Sequence, residues 1–505
     1  MFSKKSLVAL GLLGLSSLNA SAAQLSIDCI LRGYCISTQN VVEHLKALQG
    51  IADANNGNRS AGSSGHELSA NYVAQQLLAA GFKVELAPFS FMKFSKLSAA
   101  FSQAAPAEVS YAEEKDFQVM NYSGSGSVTA ALVAVDVQLG VGNASTSGCE
   151  KEDFATFIPG TVALIQRGTC AFQQKVENAQ AAGAAGVVLF NQGNTADRSE
   201  IFSGTLSEGS AVTIPVFATS YPFATALIEQ GAVTVKLAAS TKVESKISYN
   251  VLAETKDGNP DNIVMVGAHL DSVAEGPGIN DNGSGSAAIL EVALNMKNTK
   301  VTNKVRFAWF SAEELGLVGS NKYVESLSEA QKSKISLYLN IDMVGSPNYM
   351  LSVYDGDGSK FGQKGPEGSA AIEKKLHTFF SEMGSSSVES ELNGRSDYAA
   401  FSAAGIAVGG LFTGAEGKKS EEEAKLFGGA AGEAYDACYH KACDGLTNVN
   451  TEALELNTNA VAYLTLSFAN SAAEVRPLEK SMSRKARNKV VFPKHLHCHE
   501  DVFDI

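Results

Sequence analysis

The sequence predicts an α/β protein with a mostly parallel central sheet, helices on both of its faces, and a second, smaller α/β unit inserted into it. Three observations predict this. After Ser240, the apolar runs NIVMVGAHL, KVRFAWF and LYLNIDMV are each followed by a loop and then helix-like sequence, the alternation that builds a parallel sheet. Between about Ser127 and Ser240, a tighter strand and helix alternation forms a compact unit. From Val41 to Val84, two helical patterns and a strand form a group too small to bury a core by itself. They therefore join the later sheet, across the inserted unit.

The composition is that of a globular chain. With 505 residues and 45% hydrophobic content it can bury sizeable cores in two or three units. A formal charge of −13 argues against nucleic acid as a partner, since phosphate binding rests on clustered Lys and Arg. No internal apolar run is long enough to cross a bilayer.

Residues 1–23 read as a secretory signal peptide: Lys4 and Lys5, an apolar core from Leu7 to Leu18, and small residues at Ala20 and Ala22. The expected location is outside the cell, with a mature start near Ala23 or Gln24. Cysteine spacing agrees with export. Cys29 with Cys35, Cys149 with Cys170 and Cys438 with Cys443 form local pairs that read as disulfides, leaving Cys498 over. Closing the loop between Cys149 and Cys170 would stabilise by roughly 3 kcal/mol on the chain-entropy model.

In the first group, the helices are separated by the link NNGNRSAGSSG, and the second ends at Gly81 before a strand. In the inserted unit, SVTAALVAVD, GTVALIQRG, GVVLFNQ and IPVFATSY read as strands, with helices at FQQKVENAQAAGAAG and FATALIEQGA. The stretch GTVALIQRGTCAFQQKVENAQAAGAAGVVLFN resembles the protease-associated (PA) domain that many exported peptidases carry as an insert. The expected boundaries are 24–120 and 244–475 for the main unit, 121–243 for the insert and 476–505 for a tail.

The link GAHLDSVAEGPGINDNGSG is longer than a strand-to-helix turn needs, and it carries His269, Asp271 and Asp281. Glu313 and Glu314 follow the next strand, and Asp342 ends LYLNID. In open α/β sheets, sites form beyond the carboxyl ends of the strands, so the topology would bring these groups together. Uncompensated carboxylates gathered there need a cation, and His with Asp and Glu suits zinc or a similar metal. The carboxylate count suggests two ions, the arrangement used for metal-assisted hydrolysis. Taken singly, each has a plain alternative: His269 as a structural histidine, Asp281 as a helix cap, Glu313 and Glu314 as first-turn acids, Asp342 as a turn residue.

Five stretches, GAHLDSVAEGPGINDNGSGSAAILEVAL, FAWFSAEELGLVGS, YLNIDMVGSPN, GRSDYAAF and CYHKACDGLTNVN, together resemble the secreted bacterial branch of the M28 zinc aminopeptidases. The resemblance implies the zinc-peptidase fold and two Zn2+. By it, His269 and Asp342 would hold one zinc, Glu314 and His440 the other, with Asp281 between them. Glu313 would be the general base acting on water between the metals, and Asp271 would orient the His269 imidazole. Tyr439 and Arg395 would lie on the substrate side, and Leu411 and Phe412 would line a pocket for leucine-like side chains. His440 read alone could equally be a surface histidine in a disulfide loop, and Leu411 and Phe412 could be core.

The expected substrates are peptides or proteins with a free N-terminus. A carboxypeptidase, a glutaminyl cyclase and a non-catalytic receptor of the same fold stay open as alternatives. Asn-x-Ser sequons stand at Asn58, Asn121, Asn143 and Asn282; a glycan on Asn282 would obstruct the site, so either that residue is buried or the host does not glycosylate. The tail after Val475 is basic up to Lys494 and contains His495, His497, Cys498 and His499. It is expected either to be a surface tail or to be a removable propeptide that inhibits by covering the acidic site.

Overall fold

The computed structural model describes residues 25–476 apart from Tyr34 and residues 207 and 208; the leader, and the tail with Cys498, lie outside these residues. One continuous 14-stranded sheet runs through the molecule. In its larger half, strands Ala407–Phe412, Ile335–Ile341, Asn259–His269 and Asn303–Phe310 lie side by side and parallel. These strands are near-continuous apolar runs because both faces are covered, as a parallel sheet requires. Successive residues enter opposite cores. Val264, Val266 and Ala268 join the core under helices Thr38–Asp53, Ser64–Ala79, Gly285–Met296 and Thr451–Asn470. Met265, between them, joins a smaller core on the other face with Tyr323 and Phe401, from helices Val318–Ser326 and Tyr398–Ala403.

The register positions the site. Phe310 lies opposite His269, and Asn340 lies opposite Gly267, so the three strands end at one edge. Strand Asn259–His269 sits between the strands that follow it in the chain, which makes its carboxyl end the switch point where the crossovers diverge.

The smaller half carries parallel strands Gly126–Val135, Val162–Gln166, Gly186–Phe190 and Val216–Thr219, with helices Phe172–Ala181 and Tyr221–Glu229. The halves are joined by a feature the sequence reading did not anticipate. Strands Lys83–Ala105 and Thr234–Glu254 form a long antiparallel ribbon, paired from Lys83 opposite Glu254 to Ala105 opposite Thr234 with register shifts after Lys96 and Gln103. One end pairs with the larger half at Arg306, and the other pairs with Gly126–Val135. Most of the first strand is exposed or half-buried, so it has no apolar run to announce it.

All three cysteine pairs expected from spacing are disulfide-bonded. Among the described residues, no helix is long and apolar enough to cross a membrane.

Candidate metal centre

Four segments of the chain deliver the side chains of the site: the link from His269 to Asp281, the pair Glu313 and Glu314, Asp342, and the disulfide loop with His440. His269 is the last residue of its strand, and the loop after it is shaped from outside by Arg59. This fully buried arginine donates from Nε to Pro277 O at 2.9 Å, from Nη2 to Gly278 O at 2.6 Å, and from Nη1 to Leu270 O. Its own amide donates to Ser272 Oγ at 2.9 Å. Burial lowers its pKa to about 10, with Asp271, Asp444 and Asp281 opposing, so the guanidinium stays charged at neutral pH. The loop turns at Gly278, where φ is +61° and an added Cβ would meet Asp281 O at 2.3 Å, so only glycine fits. The chain then returns with Asp281 before helix Gly285–Met296.

Asn282 settles the sequon alternative by burial. It is fully enclosed, donates to Ile341 O at 2.9 Å, and accepts the amides of Gly285 and Met343 at 3.0 and 3.1 Å. Glu313 and Glu314 follow the strand ending at Phe310, and the amide of Glu313 donates to Asp271 Oδ1 at 3.2 Å. Asp342 follows the strand ending at Ile341, and its Oδ2 accepts Ser396 Oγ–H at 2.6 Å. His440 sits inside the loop closed by Cys438 and Cys443, with the Tyr439 ring stacked on it at 3.8 Å between centroids. Asp444, just past that loop, accepts the amides of Asn280 and Asp281 at 2.8 and 3.0 Å.

These segments meet around Asp281. His269 Nε2 lies 3.1 Å from Asp281 Oδ1 and 3.3 Å from Asp342 Oδ1. His440 Nε2 lies 3.1 Å from Asp281 Oδ2 and 3.0 Å from Glu314 Oε2. The two oxygens of one carboxylate thus face two imidazoles, and each imidazole has a further carboxylate of its own. Glu314 Oε1 is buried without a hydrogen-bond donor, and Glu314 Oε2 and Asp342 Oδ1 are buried facing only the imidazoles. Buried carboxylate oxygens in that condition are costly unless a cation serves them, and a His, Asp and Glu donor set fits zinc.

Burial and charge oppose each other throughout the site. Burial opposes the imidazolium of both histidines, yet the facing carboxylates push His269 and His440 well above the usual histidine range. Burial, with Glu314 and Asp342 adding to it against His269, pushes Glu313 well above the usual carboxylate range. Burial also raises Glu314, and it raises Asp271 to about 7.

The comparisons with known proteins bear on this geometry. The peptidase family M28 model matches residues 250–465, and the PA domain model matches residues 128–227. An aminopeptidase of Pseudomonas aeruginosa is 50% identical over 90% of this chain and 85% of its own length. The chain belongs to peptidase family M28. A probable leucine aminopeptidase 2 of Aspergillus fumigatus is 41% identical over 83% of this chain and 81% of its own. Among solved structures, the aminopeptidase from Aneurinibacillus sp. strain AM-1 matches at TM-score 0.68 and 26% identity, covering 88% of this chain and 96% of that one. The zinc aminopeptidase BSAP of Bacillus subtilis matches at TM-score 0.60 and 26% identity, covering 86% and 96%. This M28 chain is a zinc-dependent metallo-aminopeptidase carrying a PA domain.

Asp271 meets His269 Nδ1 through its main-chain oxygen at 3.2 Å, and its carboxylate, 3.8 Å from the same nitrogen, also accepts the Glu313 amide. Leu411 is fully buried in the larger core, because its strand is enclosed on both faces. Phe412, at the strand end, is half-buried against the smaller core. Arg395 Nη1 donates to Glu416 Oε1 at 2.7 Å, and its Nη2 reaches Tyr439 OH at 3.5 Å, which joins GRSD to the disulfide loop. Arg59, Asp444 and Ser396 were not anticipated; a lone arginine in a polar link carries no sequence signal of burial.

Proposed function

We propose that the enzyme uses two zinc ions that share Asp281, one held also by His269 and Asp342 and the other by Glu314 and His440. The observation that carries this reading is the division of the Asp281 oxygens, at 3.1 Å each, between two separate imidazoles. Zinc bound there would supply Lewis acidity toward the scissile carbonyl and a water more easily deprotonated near neutral pH.

The chain's own groups would do the rest. Glu313 Oε2 lies 4.0 Å from His269 Nε2, close enough to the proposed metals for its carboxylate to take a proton from the attacking water and hand it to the leaving amine. Asp271, by holding the Glu313 amide, keeps that base turned toward the reacting centre. Arg395 and Tyr439 flank the substrate side, and carboxylates beside the zinc would accept the free α-amino group. An apolar, leucine-like N-terminal preference draws support from the relatives named leucine aminopeptidase 2 and from Phe412 at the rim. Export is supported by the leader sequence and the three disulfides.

Chelation should abolish hydrolysis of a leucyl anilide, and added zinc should restore it. Activity that persists in metal-free protein, or returns in full with one equivalent, would sink the paired-zinc reading. An N-acetylated peptide cleaved as fast as the free one would sink the exopeptidase assignment. The basic tail is proposed to shield the acidic site until it is removed. A chain ending near Val475 that is no more active than the full mature chain would refute that.

A further inference from the structure

A second group of side chains of metal-ligating type lies between the outermost strand of the larger half and the helix beside it. Glu373 and His377 are one turn apart on helix Ser369–Glu382, and Glu389 lies on edge strand Val388–Ser390. His377 Nε2 faces Glu373 Oε1 at 3.8 Å and Glu389 Oε1 at 3.7 Å, and all three atoms lie within 4.8 Å of one another. They line an open cleft, where the Glu389 and His377 side chains are 30% and 31% exposed.

Two details set this group apart from ordinary surface acids. The Glu373 side chain is 7% exposed, and its Oε2 is fixed by the amides of Gly356 and Asp357 at 2.9 and 3.0 Å, which leaves Oε1 turned to the histidine. His377 Nδ1 contacts Ser387 Oγ at 2.7 Å, while Nε2 is buried and without a hydrogen-bond partner. A ring nitrogen held by an outer partner, with the other nitrogen aimed at carboxylates, is how a ligating histidine is oriented. Nearby Asp355 makes the contrast. Its oxygens accept the amides of Ser359, Lys360 and Phe361 at 3.0, 3.0 and 2.9 Å, so the backbone satisfies it and no ion is called for.

We propose that Glu373, His377 and Glu389 form a third zinc site, separate from the catalytic pair, that ties the edge strand to the helix beside it. Ligand atoms about 2.0 to 2.1 Å from a tetrahedral zinc stand roughly 3.3 Å apart, so small side-chain rotations would close the present spacing. One His and two Glu leave the fourth position to water. The edge strand and the strand it pairs with, Ser352–Tyr354, are three residues each, so a cross-link has few hydrogen bonds to compete with. The competing arrangement is a protonated histidine serving the same two carboxylates with no metal.

The test is zinc content after equilibrium dialysis of the purified enzyme at pH 8 against micromolar free zinc. The wild type should hold one equivalent more than H377Q and E389Q, with kcat/KM for a leucyl anilide unchanged within twofold in both. Zinc added beyond saturation of the catalytic pair should raise the Tm of the wild type and not of the variants. Equal zinc content in the wild type and both variants, the outcome expected of a protonated-histidine pair, would overturn the proposal. Using two variants guards against one that fails to fold.

Discussion

The carboxylate of Asp444 accepts the amide of Asp281 at 3.0 Å and that of Asn280 at 2.8 Å. The residue that follows the disulfide loop of His440 therefore grips the backbone of the acid that faces both imidazoles. Asp444→Asn keeps the shape but weakens this grip, and partners of metal ligands typically contribute 10- to 100-fold. We expect zinc affinity or kcat/KM to fall by about that factor; titration against a zinc-buffered indicator measures it. An unchanged variant would show that Asp281 holds its place without the Asp444 carboxylate.

Glu313→Gln should lower kcat by about 10² to 10⁴, the usual range for a lost general base. Zinc content should not change, because the base is not counted among the ligands. Co-loss of zinc and activity would move Glu313 into the ligand set.

Arg59 donates to three carbonyls of the loop that joins His269 to Asp281. Arg59→Met leaves those carbonyls and the neighbouring acids without their buried cation, a defect worth roughly 3 to 5 kcal/mol. Urea unfolding of the zinc-loaded enzyme should show the loss; a change under 1 kcal/mol would mean that water replaces the guanidinium.

Much of this site was legible because His269, Glu313, Glu314 and Asp342 each follow an apolar run at the same end of a strand, and strand register is a regular property. Arg59 was not legible, because burial of a charge depends on carbonyls more than 200 positions away in the chain, at Leu270 and Gly278. A strand after Gly81 was legible, but its run to Ala105 in a ribbon was not, for a related reason. Its partner is distant, and its faces are largely open to water, so neither periodicity nor hydrophobicity marks its length. Of the two readings left open for Leu411, pocket or core, the structure places it in the larger core, a choice GGLF could not make because a strand end and a strand interior look alike there.

His66 gives a pH dependence away from the metals. It is buried, its Nε2 donates to Tyr249 O at 3.1 Å, and burial lowers its pKa from 6.5 to about 4. Above pH 6.5 the ring is neutral in both folded and unfolded chains and costs nothing. As pH falls from 6.5 toward 4, the unfolded chain binds a proton that the fold refuses, and stability drops by up to about 3 kcal/mol. His66→Gln should lose less stability over that interval than the wild type, as read by denaturant midpoints at pH 7 and pH 4.5. Parallel losses would show that His66 titrates normally.

The ribbon also says how such a molecule can be taken apart. Its strands enter and leave the insert side by side, with Lys96 directly across from Thr241. In topological terms the PA domain is the ornament at the tip of one very long hairpin. A two-residue turn joining the ribbon near that pair would excise the domain and leave the peptidase sheet its full complement of strands. The same geometry gives evolution a grafting point, where a whole module can be gained, exchanged or discarded without disturbing the chemistry beneath it.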